Sequence, residues 1–557
     1  MSSQAAAAPA AIAGAAARLR RVRDALLGIR TAYVLGVLLA VQGAAVLALA
    51  LTVRHNGWLY YAGGDQLWHY SGAYLLAHGH LPPAYVGYGW SVLLLPIAPF
   101  AGANLVAALP VMVLVNTLLL LPVALLCVYG IAAQIAGRLF GYFAAALWIA
   151  VPYLGIVFVE PGYHQKYTEL TLPQLLGLTS VPDFPATVAL LVSAYLCLRA
   201  VDAAGWHAAA GAGLAAGYSI AIKPSNAIFL VAPALLLLIE RWRALLPFAL
   251  SLAPALLTLA IWKYRGLGEL AAAPAEPVRL AGGVGGLLDR IHRPSLNSWE
   301  HLHQVLLGFR EHFWIARVIE WLPVAGVVAL LGRSRQGFLL VAGWFTTYLL
   351  AKATYIPASI EDASFFRILM PAFPAYLLLA AAVVLLVPGV RARPAPRSFT
   401  LAGRRLTIAL LAAAAVFAVL PLGVIAAIPR LHDSTHAVRF NENLIPISSA
   451  IGVRATAQGD VVRLSWHGRP PRAAAGFYRV LRGRGPEGGL FCGGVRNDSS
   501  WDCELAMESR ATRATSFVDR PGRGTWIYRI GIAANWLDDP TLGDVYVVSE
   551  PETVTVR

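Results

Sequence analysis

From Thr31 to Val53 the chain runs for 23 residues without a charged side chain, and about 20 apolar residues is the length that crosses a bilayer as a helix. Comparable stretches recur almost to residue 430. A cleaved signal peptide accounts for one such stretch, not for a series. Backbone groups in lipid must be satisfied within the spanning structure, which for uninterrupted apolar runs of this length means helices. Composition agrees: 58% of the residues are hydrophobic and 13% charged, against about 25% charged in soluble domains. The expected fold class is a polytopic α-helical membrane protein, with a soluble tail that reads as all-β.

The net charge of +15 is distributed as a topology signal rather than as a nucleic-acid surface. Arg18, Arg20, Arg21, Arg23 and Arg30 precede the first span, and Arg391, Arg393, Arg397, Arg404 and Arg405 fill one late loop. Basic residues at the ends of apolar spans mark the cytoplasmic side. No basic soluble module with interleaved aromatics occurs, so nucleic acid is not an expected partner.

With the N-terminus inside, about eleven spans alternate outward and inward: 31–53, 104–135, 139–159, 184–200, 206–222, 225–239, 244–263, 318–332, 337–353, 367–388 and 406–428. Nearly every inward loop is arginine-rich. The odd count leaves the tail outside the cytoplasm. The resulting division is a cytoplasmic segment 1–30, a membrane domain 31–430 and an extracytoplasmic domain 440–557.

In the tail, Val461–Trp466 (VVRLSW), Phe477–Leu481 (FYRVL) and Thr525–Ala533 (TWIYRIGIA) alternate apolar and polar residues between Gly- and Pro-containing turns. Period-two alternation with turn signals reads as strands, and several such strands read as a β-sandwich. The order of a tryptophan strand, a YRV strand and a second YR strand resembles a fibronectin type III domain over about 100 residues. Cys127 and Cys197 lie inside apolar spans and read as core residues. Cys492 and Cys503 lie close together in the tail, with the spacing of a local disulfide, and such a bond requires an oxidising compartment.

Ionisable residues at membrane depth or its edge are costly and concentrate at functional sites. The first outer loop carries a lone acid, Asp65. Leu67, Tyr70, Tyr74 and Leu75 then recur at helical spacing, which predicts an amphipathic helix lying in the membrane interface. Asp65 reads either as the N-cap of that helix or as a functional acid. The second outer loop gathers Glu160, His164, Lys166 and Glu169, and the third holds Asp289, Arg290, His292, Arg293, His301 and His303. His301 and His303 lack the i, i+4 spacing of a helical zinc pair. Asp538 and Asp539 in the tail read as solvated turn residues.

Several features in this order resemble the GT-C superfamily of membrane glycosyltransferases, which take sugars from polyprenyl-phosphate donors. They are an acid after the first span, a helix ending in A-x-G, and a Y-G-W step into an apolar stretch. They continue with Asp183-Phe184-Pro185, Lys223-Pro224-Ser225-Asn226 and Arg367-Ile368-Leu369-Met370-Pro371, and the likeness covers roughly residues 31–390. Protein O-mannosyltransferases, aminoarabinose transferases and arabinofuranosyltransferases are members. The resemblance implies inverting transfer at the outer face of the plasma membrane, onto an envelope glycan, glycolipid or protein.

It assigns Asp65 as catalytic base. Arg367, Lys352 and Lys223 become donor-phosphate cations, each otherwise readable as a snorkelling anchor. Glu160, His164, Lys166, Glu169, His292 and Arg293 become acceptor-binding or supporting residues. Many members carry paired acids in the first loop, whereas Asp65 is followed here by Gln66. No organic cofactor is called for, no metal ligand is assigned, and a divalent cation stays open. The alternative is a transporter or flippase of a lipid-linked saccharide with the tail as a docking module. The chain has no GxxxxGK[ST] loop and no G-x-S-x-G elbow.

Overall fold

The computed structural model describes residues 21, 24–52, 64–82, 84, 86–202, 205–267, 298–388, 390, 404–429, 437–440, 443–468, 475–484, 491–492, 503–505, 514–535 and 544–557. Asp289, Arg290, His292, Arg293, Asp538 and Asp539 fall outside them. So do the side chains of Cys492 and Cys503, which leaves the expected disulfide outside the described residues.

Each of the expected spans is helical over most of its described length. Six helices among the described residues are long and apolar enough to cross a membrane, in keeping with a multi-pass protein. The stretches expected as spans six and seven join into one segment, Val231–Leu267, broken at Arg241 (φ −160°, ψ 68°). The Arg241 guanidinium donates to the carbonyls of Ala200 and Val201 at 3.2 and 3.1 Å, which holds the turn against the neighbouring helix end. Within the span that starts at Leu105, a π-turn at Asn116–Leu120 interrupts the α-helical repeat. Asn116 there donates to the carbonyls of Gly177 and Thr179 at 2.8 and 3.1 Å.

Contacts between helix ends form two sets. In one set, Arg138 bonds the carbonyl of Ile29 at 2.8 Å and Arg335 meets Glu240 at 3.1 Å. In the other, the Glu160 amide donates to the His312 carbonyl at 2.9 Å and Ser298 to Thr354 at 2.8 Å. Leu81 donates to Pro429 at 2.9 Å, and the Trp90 indole to Ser180 at 2.8 Å. Each of these contacts joins segments assigned to the same side.

Helix Gly64–Ala77 departs from the interfacial expectation. Leu67, Tyr70, Tyr74 and Leu75 are buried, but so are Gln66, His69 and Ser71 on the other faces. The polar residues do not face water: Gln66 bonds Ser180, and the His69 carbonyl accepts from Ser91 at 2.9 Å. The apolar side enters a cluster with Trp90 and Leu94 that also contains strand residues of the tail. Gly87 lets the following segment come this close, since a Cβ there would lie 2.1 Å from the Ala221 carbonyl oxygen.

The tail is all-β. Its strands are β1 Ala437–Phe440, β2 Asn443–Ser448, β3 Gly452–Gln458, β4 Val461–His467, β5 Ala475–Arg484, β6 Phe491–Cys492, β7 Cys503–Leu505, β8 Ser516–Asp519, β9 Gly524–Asn535, β10 Asp544–Ser549 and β11 Glu552–Val556. One sheet has the order β3-β4-β8. The other runs β6-β1-β2-β10-β9-β5-β7, with β11 also paired to β9. Val462, Leu464 and Trp466 of β4 point inward, as the alternation requires, and share a core with Tyr478, Val480, Tyr528 and Ile530. Trp466 packs edge-on against Tyr478 at 5.6 Å between ring centroids. Strand β2 packs on helix Gly64–Ala77, so the tail sits on the same side of the helical domain as Asp65.

Candidate active site

Four side chains from four separate segments meet at one end of the helical domain. Asp65 lies in the first turn of Gly64–Ala77, within the helix and not before it as an N-cap. Asp183 opens helix Asp183–Asp202, where the N-terminal dipole favours a carboxylate. Lys223 sits in extended backbone between helix Trp206–Ile222 and the 3-10 turn Pro224–Leu230. Arg367 lies on the short helix Ser364–Leu369, entered through Ala363 in the left-handed conformation (φ 62°).

Their charges alternate in a chain. Lys223 Nζ bonds Asp183 Oδ1, Arg367 Nε lies 3.5 Å from Asp183 Oδ2, and an Arg367 amino group bonds Asp65 Oδ2. The Asp183 side chain is 0% exposed, whereas Lys223, Arg367 and Asp65 retain 20%, 34% and 27%. A buried carboxylate thus lies against two partly exposed cations, with the partly exposed Asp65 paired to one of them. Such an arrangement can hold a phosphate on Arg367 and Lys223 while presenting a carboxylate to a hydroxyl group.

Behind Lys223 the Lys-Pro-Ser-Asn motif is anchored by Asn226, which donates to Ser219 Oγ at 2.9 Å and accepts from the Tyr348 hydroxyl at 2.9 Å. Lys352 lies with its ammonium 5.4 Å from the Tyr355 ring centroid and feels the charges of Lys223 and Asp183. It is adjacent to the four-membered chain, not a link in it. His69 lies one turn after Asp65. Burial, against the opposing pull of Asp65, pushes its imidazole down to a pKa of about 3, and the nearby Lys223, Lys263 and Arg367 add to the fall.

The second outer loop does not join Asp65. Lys166 meets Glu361 at 3.6 Å, and His312 Nε2 meets the same carboxylate at 2.7 Å. Tyr163 stacks on His312 at 4.6 Å and donates to the Ile360 carbonyl at 2.5 Å. The His312 hydrogen bond holds the Glu361 carboxyl below its ordinary range. These contacts fasten the segment that leads into Arg367. The side chains of Glu160 and His164 are exposed, and Glu169 accepts from Gln165 at 3.3 Å. Glu311, His312 and Glu361 bring potential metal-ligand atoms within 4.8 Å of one another. With Lys166 and His312 already on Glu361, the grouping reads as an ion-pair cluster.

Reading the sequence alone missed Asp183 as the shared acid, Gln66 as a link to Ser180, and the His312–Glu361 pair. Asp183 had a signal: it is the single acid at the opening of an otherwise apolar span.

No family model matches the sequence, and no curated protein matches it. Among solved structures the chain is similar to ArnT from Cupriavidus metallidurans bound to undecaprenyl phosphate, at 15% identity and a TM-score of 0.40 over 72% of each chain. It is also similar to the apo oligosaccharyltransferase of Archaeoglobus fulgidus, at 14% identity and a TM-score of 0.39, covering 72% of this chain and 56% of that one.

Proposed function

We propose that the chain is a GT-C-type glycosyltransferase that moves a sugar from a polyprenyl-phosphate donor to an envelope glycan, glycolipid or protein at the outer face of the plasma membrane. The observation that carries the reading is the alternating chain Lys223–Asp183–Arg367–Asp65, set at the end of the helical domain with its acid and cations partly open. In the reaction the acceptor oxygen attacks the anomeric carbon from the side opposite the phosphate. The bond from that carbon to the phosphate oxygen breaks, and the lipid phosphate leaves with the electron pair. Asp65 takes the acceptor proton as the new bond forms. Arg367 and Lys223 meet the negative charge that grows on the leaving phosphate. Lys352 lies close enough to add to that field, and Asp183 positions the cations without touching the reacting atoms.

Residues 1–30 form the cytoplasmic segment, 31–430 the catalytic membrane domain and 440–557 the extracytoplasmic domain. In the tail, β3-β4-β8 opposite β5, β7, β9 and β11 supports a fibronectin type III-like sandwich. Its place beside the helix of Asp65 suits acceptor recognition, and the Cys492–Cys503 disulfide would close a tail loop. Lys166, Glu169, Glu160 and His164 belong to the loop that supports Arg367.

The test is incubation of the purified, membrane-reconstituted protein with a panel of radiolabelled polyprenyl-phosphate sugars and envelope acceptors. Transfer from one donor is expected. Movement of intact lipid-linked sugar across vesicles, without a new glycosidic bond, would establish a flippase instead.

A further inference from the structure

The segment that leads into Asp183 is held from three directions. Asn116 donates to the carbonyls of Gly177 and Thr179, and the Trp90 indole donates to the carbonyl of Ser180 at 2.8 Å. The third tie comes from the helix of Asp65 itself. Gln66 Oε1 accepts from the Ser180 backbone N–H at 3.0 Å and also from the Ser180 hydroxyl. Because a backbone N–H can only donate, the atom facing it must be the amide oxygen, which fixes which way the amide is turned.

Gln66 is 2% exposed and Ser180 0% exposed. The other end of the amide, Nε2, is buried without a hydrogen-bond partner. A buried polar side chain that leaves one of its groups unpaired is a poor choice for stability alone. What the side chain does supply is register. Residues 65 and 66 each reach across to the same segment: Asp65 through Arg367 to Asp183, and Gln66 directly to Ser180, three residues earlier.

We propose that Gln66 and Ser180 are positioning residues that set the distance between the Asp65 carboxylate and the cations gathered on Asp183. The proposal rests on the glycosyl-transfer reading of the site. Cation placement is set by Asp183, and the Gln66–Ser180 link adjusts where the base stands relative to it. Loosening the link therefore slows proton removal while leaving phosphate binding nearly unchanged.

The experiment measures kcat, donor KM and direct binding of undecaprenyl phosphate for the parent, Gln66→Met, Ser180→Ala and the double variant. Methionine keeps the length of the side chain and removes the acceptor, whereas Ser180→Ala keeps the backbone N–H and so half of the link. Misplacement by about 1 Å costs on the order of 100-fold in rate. Gln66→Met is accordingly expected to lower kcat about 10- to 100-fold, with undecaprenyl phosphate affinity changed by less than about threefold. Ser180→Ala should lower kcat less, and should add nothing in the Gln66→Met background, since the two act through one link.

Folded variants with parental kcat overturn the proposal, and so do additive effects in the double variant. Loss of kcat and of phosphate binding together, in proportion to folded protein, assigns the pair a purely structural role and also overturns it. A parent that transfers no sugar from any donor overturns the glycosyl-transfer reading and this proposal with it. An active parent with an unaffected Gln66→Met overturns this proposal alone.

Discussion

Replacing Asp183 by Asn removes a charge from the least exposed point of the site and keeps its shape. The carboxylate is 0% exposed and neutralises two cations, Lys223 directly and Arg367 at 3.5 Å. Removing one partner of a buried ion pair costs about 3–5 kcal/mol, mostly because the other charge is left uncompensated. Arg367 keeps Asp65, and both cations retain some water, with 20% and 34% of their side chains exposed. Those two facts place the expected loss near the low end, about 3 kcal/mol, or roughly 150-fold in the folding equilibrium.

Most of that loss belongs to the stranded Lys223 ammonium. Adding Lys223→Met to Asp183→Asn should therefore restore stability, not lower it further. The assay is reversible unfolding in mixed micelles, followed by tryptophan fluorescence, for the parent, both single variants and the double variant. On the proposed reading, a polyprenyl phosphate should also stabilise Asp183→Asn more than the parent, because its phosphate replaces the missing counter-charge. A loss below about 1 kcal/mol, or a double variant as unstable as the sum of the singles, would refute the account of Asp183 as the charge that holds the cations.

Asp65→Asn should insert and fold, yet lose about 100- to 10,000-fold in kcat if the carboxylate takes the acceptor proton; normal transfer by this variant would reduce Asp65 to a partner of Arg367. On the proposed reading, Arg367→Leu should weaken polyprenyl phosphate binding strongly, and Arg367→Lys more mildly, because an ammonium lacks the forked geometry of guanidinium; parental binding by both would make Arg367 an anchor. His69, buried and with its pKa lowered from 6.5 to about 3, stays neutral in the fold while the unfolded chain takes up a proton. Stability is then full above about pH 6.5 and falls on acidification by about 1.4 kcal/mol per unit, or about 2 kcal/mol at pH 5, and His69→Gln should flatten that part of a pH series of unfolding midpoints. A cysteine introduced at Val518, 55% exposed in the tail, should react in intact cells with a membrane-impermeant thiol reagent; protection until lysis would place the tail, and Asp65 with it, in the cytoplasm.

The helical spans were legible because apolar runs of bilayer length have one structural outcome. The strands around Trp466 and Tyr528 were legible from period two. Asp65, Arg367 and Lys223 could be singled out as charges at the ends of apolar spans, but not joined: Asp65 and Arg367 are 302 positions apart in the sequence, and no local pattern carries that distance. Asp183 was visible only as part of a short motif, since its role comes from the two cations that other helices bring to it. The helix Gly64–Ala77 misled for a physical reason. Its apolar spacing is the same whether the polar side meets water or, as with Gln66 and Ser180, another buried polar group.

The docking of β2 on helix Gly64–Ala77 also has a consequence for biogenesis. The ribosome delivers that helix early, but the strand that packs on it is made about 370 residues later, on the order of 20–70 s at ordinary rates of synthesis. Throughout that interval the surface of the helix that β2 later packs on is without its strand, a surface of the kind that chaperones and proteases recognise. A chain cut short before residue 443 never covers it. Loss of the tail would thus register first as degradation of the whole protein, and only a stabilised membrane domain would reveal what the tail contributes to chemistry.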